Sequence, residues 1–165
     1  MEQRRRSIST YSRHISASPE KTFPLLCPVR EYEWIESWKG KLVHSNSGVA
    51  ESDCVFTNTS FEAIGPETWT CSRYEPPHRI DYVRMSAHTV IRLELDLAPA
   101  GTGTRLTAAL VITALDRTGD EFLAGCNSGT CEAQFKPCFL MLDHFLKTGA
   151  MLPAKEALAL AAGGH

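Results

Sequence analysis

The chain has 165 residues, the length of one domain that can bury roughly 70% of its unfolded surface without disulfides or metal staples. Hydrophobic residues make up 43%, charged residues 22%, and the net charge is −2. This is an ordinary globular balance without the basic excess that marks a nucleic-acid partner. No run approaches the roughly 20 apolar residues of a membrane-spanning helix, so no membrane span is expected.

The N-terminus opens on a basic cluster, Arg4-Arg5-Arg6, read as a disordered, solvated tail over residues 1–6. Met1 to Ser12 is polar throughout and lacks the apolar run of a secretory signal. A cytoplasmic location follows as the expectation, and the cysteines are read as thiols in a reducing compartment. They are Cys27, Cys54, Cys71, Cys126, Cys131 and Cys138, with no C-x-x-C pair and no paired histidines at zinc spacing. Buried thiols acting as small hydrophobes are the expectation, with no metal and no cofactor.

Residues 7–17 read as a strand. Ser18-Pro19-Glu20 then supplies a capping residue, a proline suited to the first helical position and an acidic first turn. A short helix is predicted from Pro19 to Leu26 and, after the interruption at Pro28, a second over Val29–Ile35. Gly40 closes the helical region.

Six β-rich segments follow: Lys41–Ser45, Cys54–Phe61, Thr68–Tyr74, Ile80–Met85, Thr89–Leu97 and Arg105–Leu115. Turn chemistry separates them, at Asn46-Ser47-Gly48, Ile64-Gly65-Pro66, Pro76-Pro77 and Pro99 to Gly103. Short strands with short turns favour an antiparallel meander, because parallel pairs need long crossovers. The last two strands alternate most clearly. Ile91, Leu93, Leu95 and Leu97 share one face, as do Leu106, Ala108, Leu110, Ile112 and Ala114, so one face of the sheet is packed and the other solvated.

After Asp116 the periodicity becomes helical, first over Gly119–Ala124 and then from Thr130 to Thr148. Cys131, Phe135, Cys138, Leu142 and Phe145 recur at three- and four-residue steps, widened by Phe139 and Leu146. Pro137 is expected to kink or locally break this helix, and Gly149 to end it. The Ala-rich residues 150–165 read as a frayed tail.

A sheet with one apolar face needs a cover, and the long helix carries the matching stripe. The expected fold class is α+β: a curved antiparallel sheet of about seven strands in the order β-α-α-β-β-β-β-β-β-α, wrapped around a long C-terminal helix. That order resembles the START-like, or SRPBCC, helix-grip superfamily, which includes polyketide cyclase-dehydrases. The segment Phe23 to Ile35, the turn Glu75-Pro76-Pro77-His78-Arg79-Ile80 and the hairpin Gly101-Thr102-Gly103-Thr104-Arg105 are similar to one bacterial branch of it. The resemblance spans roughly residues 7–148, with residues 7–149 taken as the domain. These motifs are turns and helix starts, so they speak for the fold more than for a chemistry.

The resemblance implies a cavity between sheet and helix, several hundred cubic ångströms in size, that takes a small hydrophobic or aromatic ligand, lipid- or polyketide-like. A cyclase or dehydratase acting on a polyketide-like substrate is the alternative. An interaction module with a filled cavity is the third reading, and a homodimer is left open. Candidate ligand-binding residues are Trp38, Trp69, Tyr82, Arg84, Phe122, Phe135 and Phe139, with Trp34 near the same end. Tyr82 and Arg84 share one strand face, but Val83 and Met85 make the opposite face apolar, so either pair could point inward. No catalytic residue is assigned. His44, His88, His144, Glu31 and Asp116 are the acid–base candidates, and Asp143-His144 is not a dyad because helical neighbours point about 100° apart.

Overall fold

The alternating rows of residues 89–97 and 105–115 set the middle of the fold. The computed structural model describes residues 5–163 and forms one antiparallel sheet. Its strands are Arg6–Ile15 (β1), Gly40–His44 (β2), Val55–Asn58 (β3), Glu67–Glu75 (β4), Arg79–Met85 (β5), Thr89–Ala100 (β6) and Gly103–Ala114 (β7). They lie in the order β1-β7-β6-β5-β4-β3-β2. Leu93 sits opposite Leu110 and Leu95 opposite Ala108. All nine apolar residues of the two expected rows are buried, whereas Arg92 and Asp96 are exposed. Both strands run on to a two-residue turn, where Gly101 takes a φ of 59°. Glycine at the first position of such a turn matches the twist of the flanking strands without a Cβ clash.

The first strand lies at one edge of the sheet and the second at the other, so residues 16–39 must cross from edge to edge. The crossing begins with Pro19–Thr22 (α1), which lies against β6 and β7, and continues as the 3₁₀ turn Phe23–Leu26. The helix predicted over Val29–Ile35 contracts to one 3₁₀ turn, Glu31–Glu33. Pro28 cannot join a helical ladder, and nearby carbonyls are spent on side chains instead. Leu25 O accepts from the Trp34 indole N–H at 3.0 Å and Pro28 O from the Trp38 indole N–H at 2.8 Å. Trp38 lies so close to the start of β2 that a Cβ on Gly40 would stand 2.7 Å from its ring. Only glycine fits there.

Three helices complete the chain: Arg117–Ala124 (α2), Thr130–Thr148 (α3) and Ala154–Gly163 (α4). Asp116 caps α2 by accepting the Gly119 N–H at 2.9 Å. The long α3 covers the apolar face through β1 and β7. Tyr11 and Phe139 stack with centroids 5.6 Å apart, and Asp143 accepts from the Ser16 N–H at 2.7 Å and the Lys147 ammonium at 2.6 Å. Gly149 ends the helix in the left-handed region, φ 69°. The buried line of α3 runs through Cys131, Phe135, Phe139 and Leu142, with Cys138 and Phe145 half-buried beside it. The helix passes unbroken through Pro137, whose ring is buried and shares a surface pocket with Leu158 and Ala161 of α4.

Within the Ala-rich end, read from the sequence as a tail, Ala154–Gly163 is helical. It folds back on α3 as α4, with Leu152 and Ala157 buried, and the Ala154 N–H donates to Glu36 at 2.8 Å. Small side chains let the two helices approach closely, which compensates for the missing apolar stripe. At the other terminus β1 starts at Arg6, and the Arg5 N–H donates to Asp120 at 3.3 Å. Residues 1–4, which include Arg4 of the basic cluster, lie outside the described residues. No helix among the described residues is long and apolar enough to cross a membrane.

Replacing Ala157 by Glu tests the docking of α4. Inserting a bulky charged group into the contact should cost about 1–3 kcal/mol. Hydrogen exchange should then show loss of protection over residues 154–163 while β6 and β7 keep theirs. Unprotected amides in that segment of the native protein would contradict a docked α4.

Candidate functional site

Where α3 leaves the sheet near the edge-to-edge crossing, the interior keeps a small cavity. Trp34 and Trp38 enter it from the crossing, Trp69 and Tyr82 from β4 and β5, Leu93 and Leu95 from β6, and Phe135, Cys138 and Phe139 from α3. Its volume is about 50 Å³, room for a water or two rather than the several hundred cubic ångströms expected. Aromatic packing takes up the rest. Trp69 is the hub, with ring centroids 5.1 Å from Phe56, 5.8 Å from Tyr82 and 6.2 Å from both Trp38 and Phe61.

Tyr82 and Arg84 both point inward, and Met85 faces solvent. The Tyr82 hydroxyl donates to Leu26 O at 2.9 Å, tying the crossing to the sheet floor. Burial, and then the nearby Glu31, raise its pKa well above the ordinary phenol value. Arg84 sits one layer behind the cavity wall. Its guanidinium lies 4.3 Å from the Phe61 ring centroid and 4.5 Å from that of Trp69. It donates from Nε and Nη2 to the two carboxylate oxygens of Glu67 at 3.1 and 3.0 Å. Glu67 also accepts from the Trp69 indole at 3.2 Å. The pair is 1% and 0% exposed at its side chains. Burial pulls the Arg84 pKa down, and Glu67 opposes that.

Two further polar residues line the cavity, Glu31 from the 3₁₀ turn of the crossing and Gln134 from α3. Glu31 is half-buried and lines the apolar cavity, and burial pushes its pKa from 4.5 up to about 8. Gln134 Nε2 is buried with no hydrogen-bond partner, as is Arg84 Nη1. Burial also raises the Cys138 thiol to about 12.

Five of the seven candidate ligand-binding residues therefore meet at one cavity: Trp38, Trp69, Tyr82, Phe135 and Phe139. Arg84 stands behind it. Phe122 does not belong to the long helix but to α2, where it lines a separate, open cleft of about 490 Å³ at the α2–α3 elbow. Gln134 is common to that cleft and the interior cavity.

The sequence reading singled out neither Glu67 nor Gln134, and named Glu31 only as an acid–base candidate. Glu67 was detectable in principle, since it shares the strand parity of Trp69, and Trp69 pairs with Arg84. Of the other acid–base candidates, His88 and Asp116 do meet, Nδ1 to Oδ2 at 2.7 Å, but at 36% and 44% exposure on the surface. The Gly119 amide and then His88 hold the Asp116 pKa low, as befits a helix cap. His44 is exposed on β2 and His144 half-buried on α3, and neither lines the cavity. No cluster of three or more metal-ligating side chains occurs among the described residues.

A family described as "Polyketide cyclase / dehydrase and lipid transport" matches the chain over residues 7–136. The chain belongs to this family. Solved structures share its helix-grip fold. Norcoclaurine synthase from Thalictrum flavum is 6% identical with a TM-score of 0.64, covering 88% of this chain and 89% of its own. Ara h 8.0201 is 11% identical with a TM-score of 0.62, covering 87% and 99%. Protein MLL2253 from Mesorhizobium loti is 20% identical with a TM-score of 0.58, covering 86% and 97%. At these identities the likeness is one of fold, that of the START-like, SRPBCC superfamily. No curated protein sequence matches the chain.

Two variants probe the interior. Glu67→Ala strands the buried Arg84 charge and should cost about 3–5 kcal/mol in urea unfolding, whereas the double variant Glu67→Leu, Arg84→Met should recover most of that loss. A loss below about 1 kcal/mol for Glu67→Ala would mean that water reaches the pair. Glu31 behaves differently because its folded pKa is raised. Its contribution is intact below its ordinary 4.5 and falls as pH rises towards about 8, where the folded protein must ionise it. The Tm of Glu31→Gln relative to the native protein should therefore climb between about pH 5 and about pH 8.5. A constant difference would place the carboxyl in water.

Proposed function

We propose that the protein binds a small hydrophobic or aromatic ligand, lipid- or polyketide-like, in the cavity between the sheet and α3. The observation that carries this is the make-up of the wall, which is mostly aromatic and aliphatic with a few polar side chains, Glu31 and Gln134 among them. The family's description, with its cyclase and lipid-transport members, supports the same reading. A ligand larger than a water or two needs the cavity to widen. The open cleft at the α2–α3 elbow shares Gln134 with it, so an outward shift of α3 at this point would join the two spaces with Gln134 still between them. All six cysteines are free, which supports a reducing, cytoplasmic setting.

A cyclase or dehydratase is the second reading, and one observation favours it. Glu31, held near a pKa of about 8 in an apolar pocket, has the protonation of a general acid at neutral pH. Turnover by such a group would fall as pH rises through about 8.

Native mass spectra of the purified protein before and after denaturation test the binding reading, alongside thermal shifts across fatty acids and aromatic polyketides. A stoichiometric adduct released on denaturation, or a shift of several degrees, is expected. Leu93→Trp should fill the space and abolish either signal while unfolding stays cooperative. No adduct and no shift with any compound would overturn the reading in favour of a filled interior that serves a protein partner.

A further inference from the structure

Two polar side chains of the cavity wall are given no use by the packing. Glu31 approaches from the crossing and Gln134 from α3. Among the described residues the Glu31 carboxyl accepts no hydrogen bond, and burial raises its pKa, while Gln134 Nε2 is buried with no acceptor. Proteins seldom leave buried donors unsatisfied, because each forfeits its water without compensation. An apolar wall that carries an unsatisfied buried donor, with a second polar side chain in the same lining, suits a ligand that brings an acceptor atom.

Charge narrows the choice. Arg84, the buried cation behind the cavity wall, is already neutralised by a bidentate bond to Glu67, and no cationic side chain lines the cavity itself, so nothing there offsets a buried carboxylate. A neutral acceptor fits, and the rings of Trp34, Trp38, Trp69 and Phe135 favour a flat, aromatic body. We propose that Glu31 and Gln134 together hydrogen-bond the carbonyl oxygen of a neutral aromatic ligand seated among these rings. This rests on the ligand-binding reading and adds the chemical class.

Both groups donate to the same oxygen, Gln134 through its amide N–H and Glu31 through its acid O–H. The groups facing Glu31 leave that proton in place. Tyr82 on β5 and Cys138 on α3 are both held neutral by burial, and the Arg84 charge is balanced by Glu67. On its own segment, Arg30 and Glu33 pair with each other at 2.9 Å. Because burial holds Glu31 protonated up to about 8, its donation is present at neutral pH and is lost above that value. The carboxylate would then repel the carbonyl oxygen.

Two probes of the same shape provide the test: 2-acetylnaphthalene and 2-isopropenylnaphthalene, which carries CH₂ where the ketone has oxygen. Affinities for the native protein are measured by calorimetry at about pH 6.5 and about pH 9. The ketone should bind about tenfold more tightly at the lower pH, and the preference should shrink at the higher one. Glu31→Leu and Gln134→Leu should each reduce the preference while hydrocarbon affinity persists, which also shows that the variants fold. Glu31→Gln should keep the preference at both pH values, since its amide still donates. Equal affinity of the native protein for the two probes would overturn the acceptor site and leave the cavity reading standing. A preference that survives both leucine variants would overturn the assignment to these residues. Failure of both probes to bind would overturn the cavity reading and this inference with it.

Discussion

Seven antiparallel strands with leucine, isoleucine and alanine on one face cannot stand in water uncovered. In β6 and β7 alone, nine apolar side chains point the same way and are all buried. One long helix provides the cover, and its placement requires the crossing from β1 to β2 to close one end of the space beneath it. The crossing therefore cannot be a plain helix. Its carbonyls are needed by Trp34, Trp38 and Tyr82, and the resulting series of short turns is what delivers Glu31 into the interior. The cover, the closure and the presence of Glu31 in the cavity lining are consequences of one requirement.

Within that interior the ionic pair and the lone carboxyl play opposite parts. Arg84 and Glu67 satisfy each other and are backed by Phe61 and Trp69. A pair of this kind adds little net stability but makes loss of either partner costly. Glu31 has no such partner, and its burial is a standing cost at neutral and higher pH. Groups kept in an unfavourable state cluster at functional sites. The contrast separates a structural ion pair from a group available to a ligand, although both lie in the same aromatic cluster.

Much of the architecture was legible in the sequence because β6, β7 and α3 carry their burial in simple periods. The orientation of β5 was not. With Tyr82 and Arg84 on one side and Val83 and Met85 on the other, local hydrophobicity points the wrong way, and only the match between Arg84 and Glu67 across the strand pair reverses it. The Ala-rich end carried no stripe to read, since α4 docks through small side chains such as Ala157. Cavity size was beyond reach for another reason. It is the small difference between the space enclosed by the elements and the volume of the rings that fill it, and ring placement around Trp69 is a tertiary matter. For the same reason Glu31 and Gln134 looked like ordinary polar residues of a turn and a helix.

The pairing of β1 with β7 places Arg6 opposite Thr113 and Ile15 opposite Thr104, partners separated by most of the chain. On the ribosome the first strand to emerge has no mate until the last strand has left the exit tunnel, so the sheet grows from its middle and is completed at this margin. Such long-range closure raises contact order and slows folding. During that interval β1 is an unpaired strand edge, which other chains can pair with. Its polar, alternating sequence, RSISTYSRHI, makes it a poor template for such misassembly, so solubility during synthesis is written into the strand that waits longest.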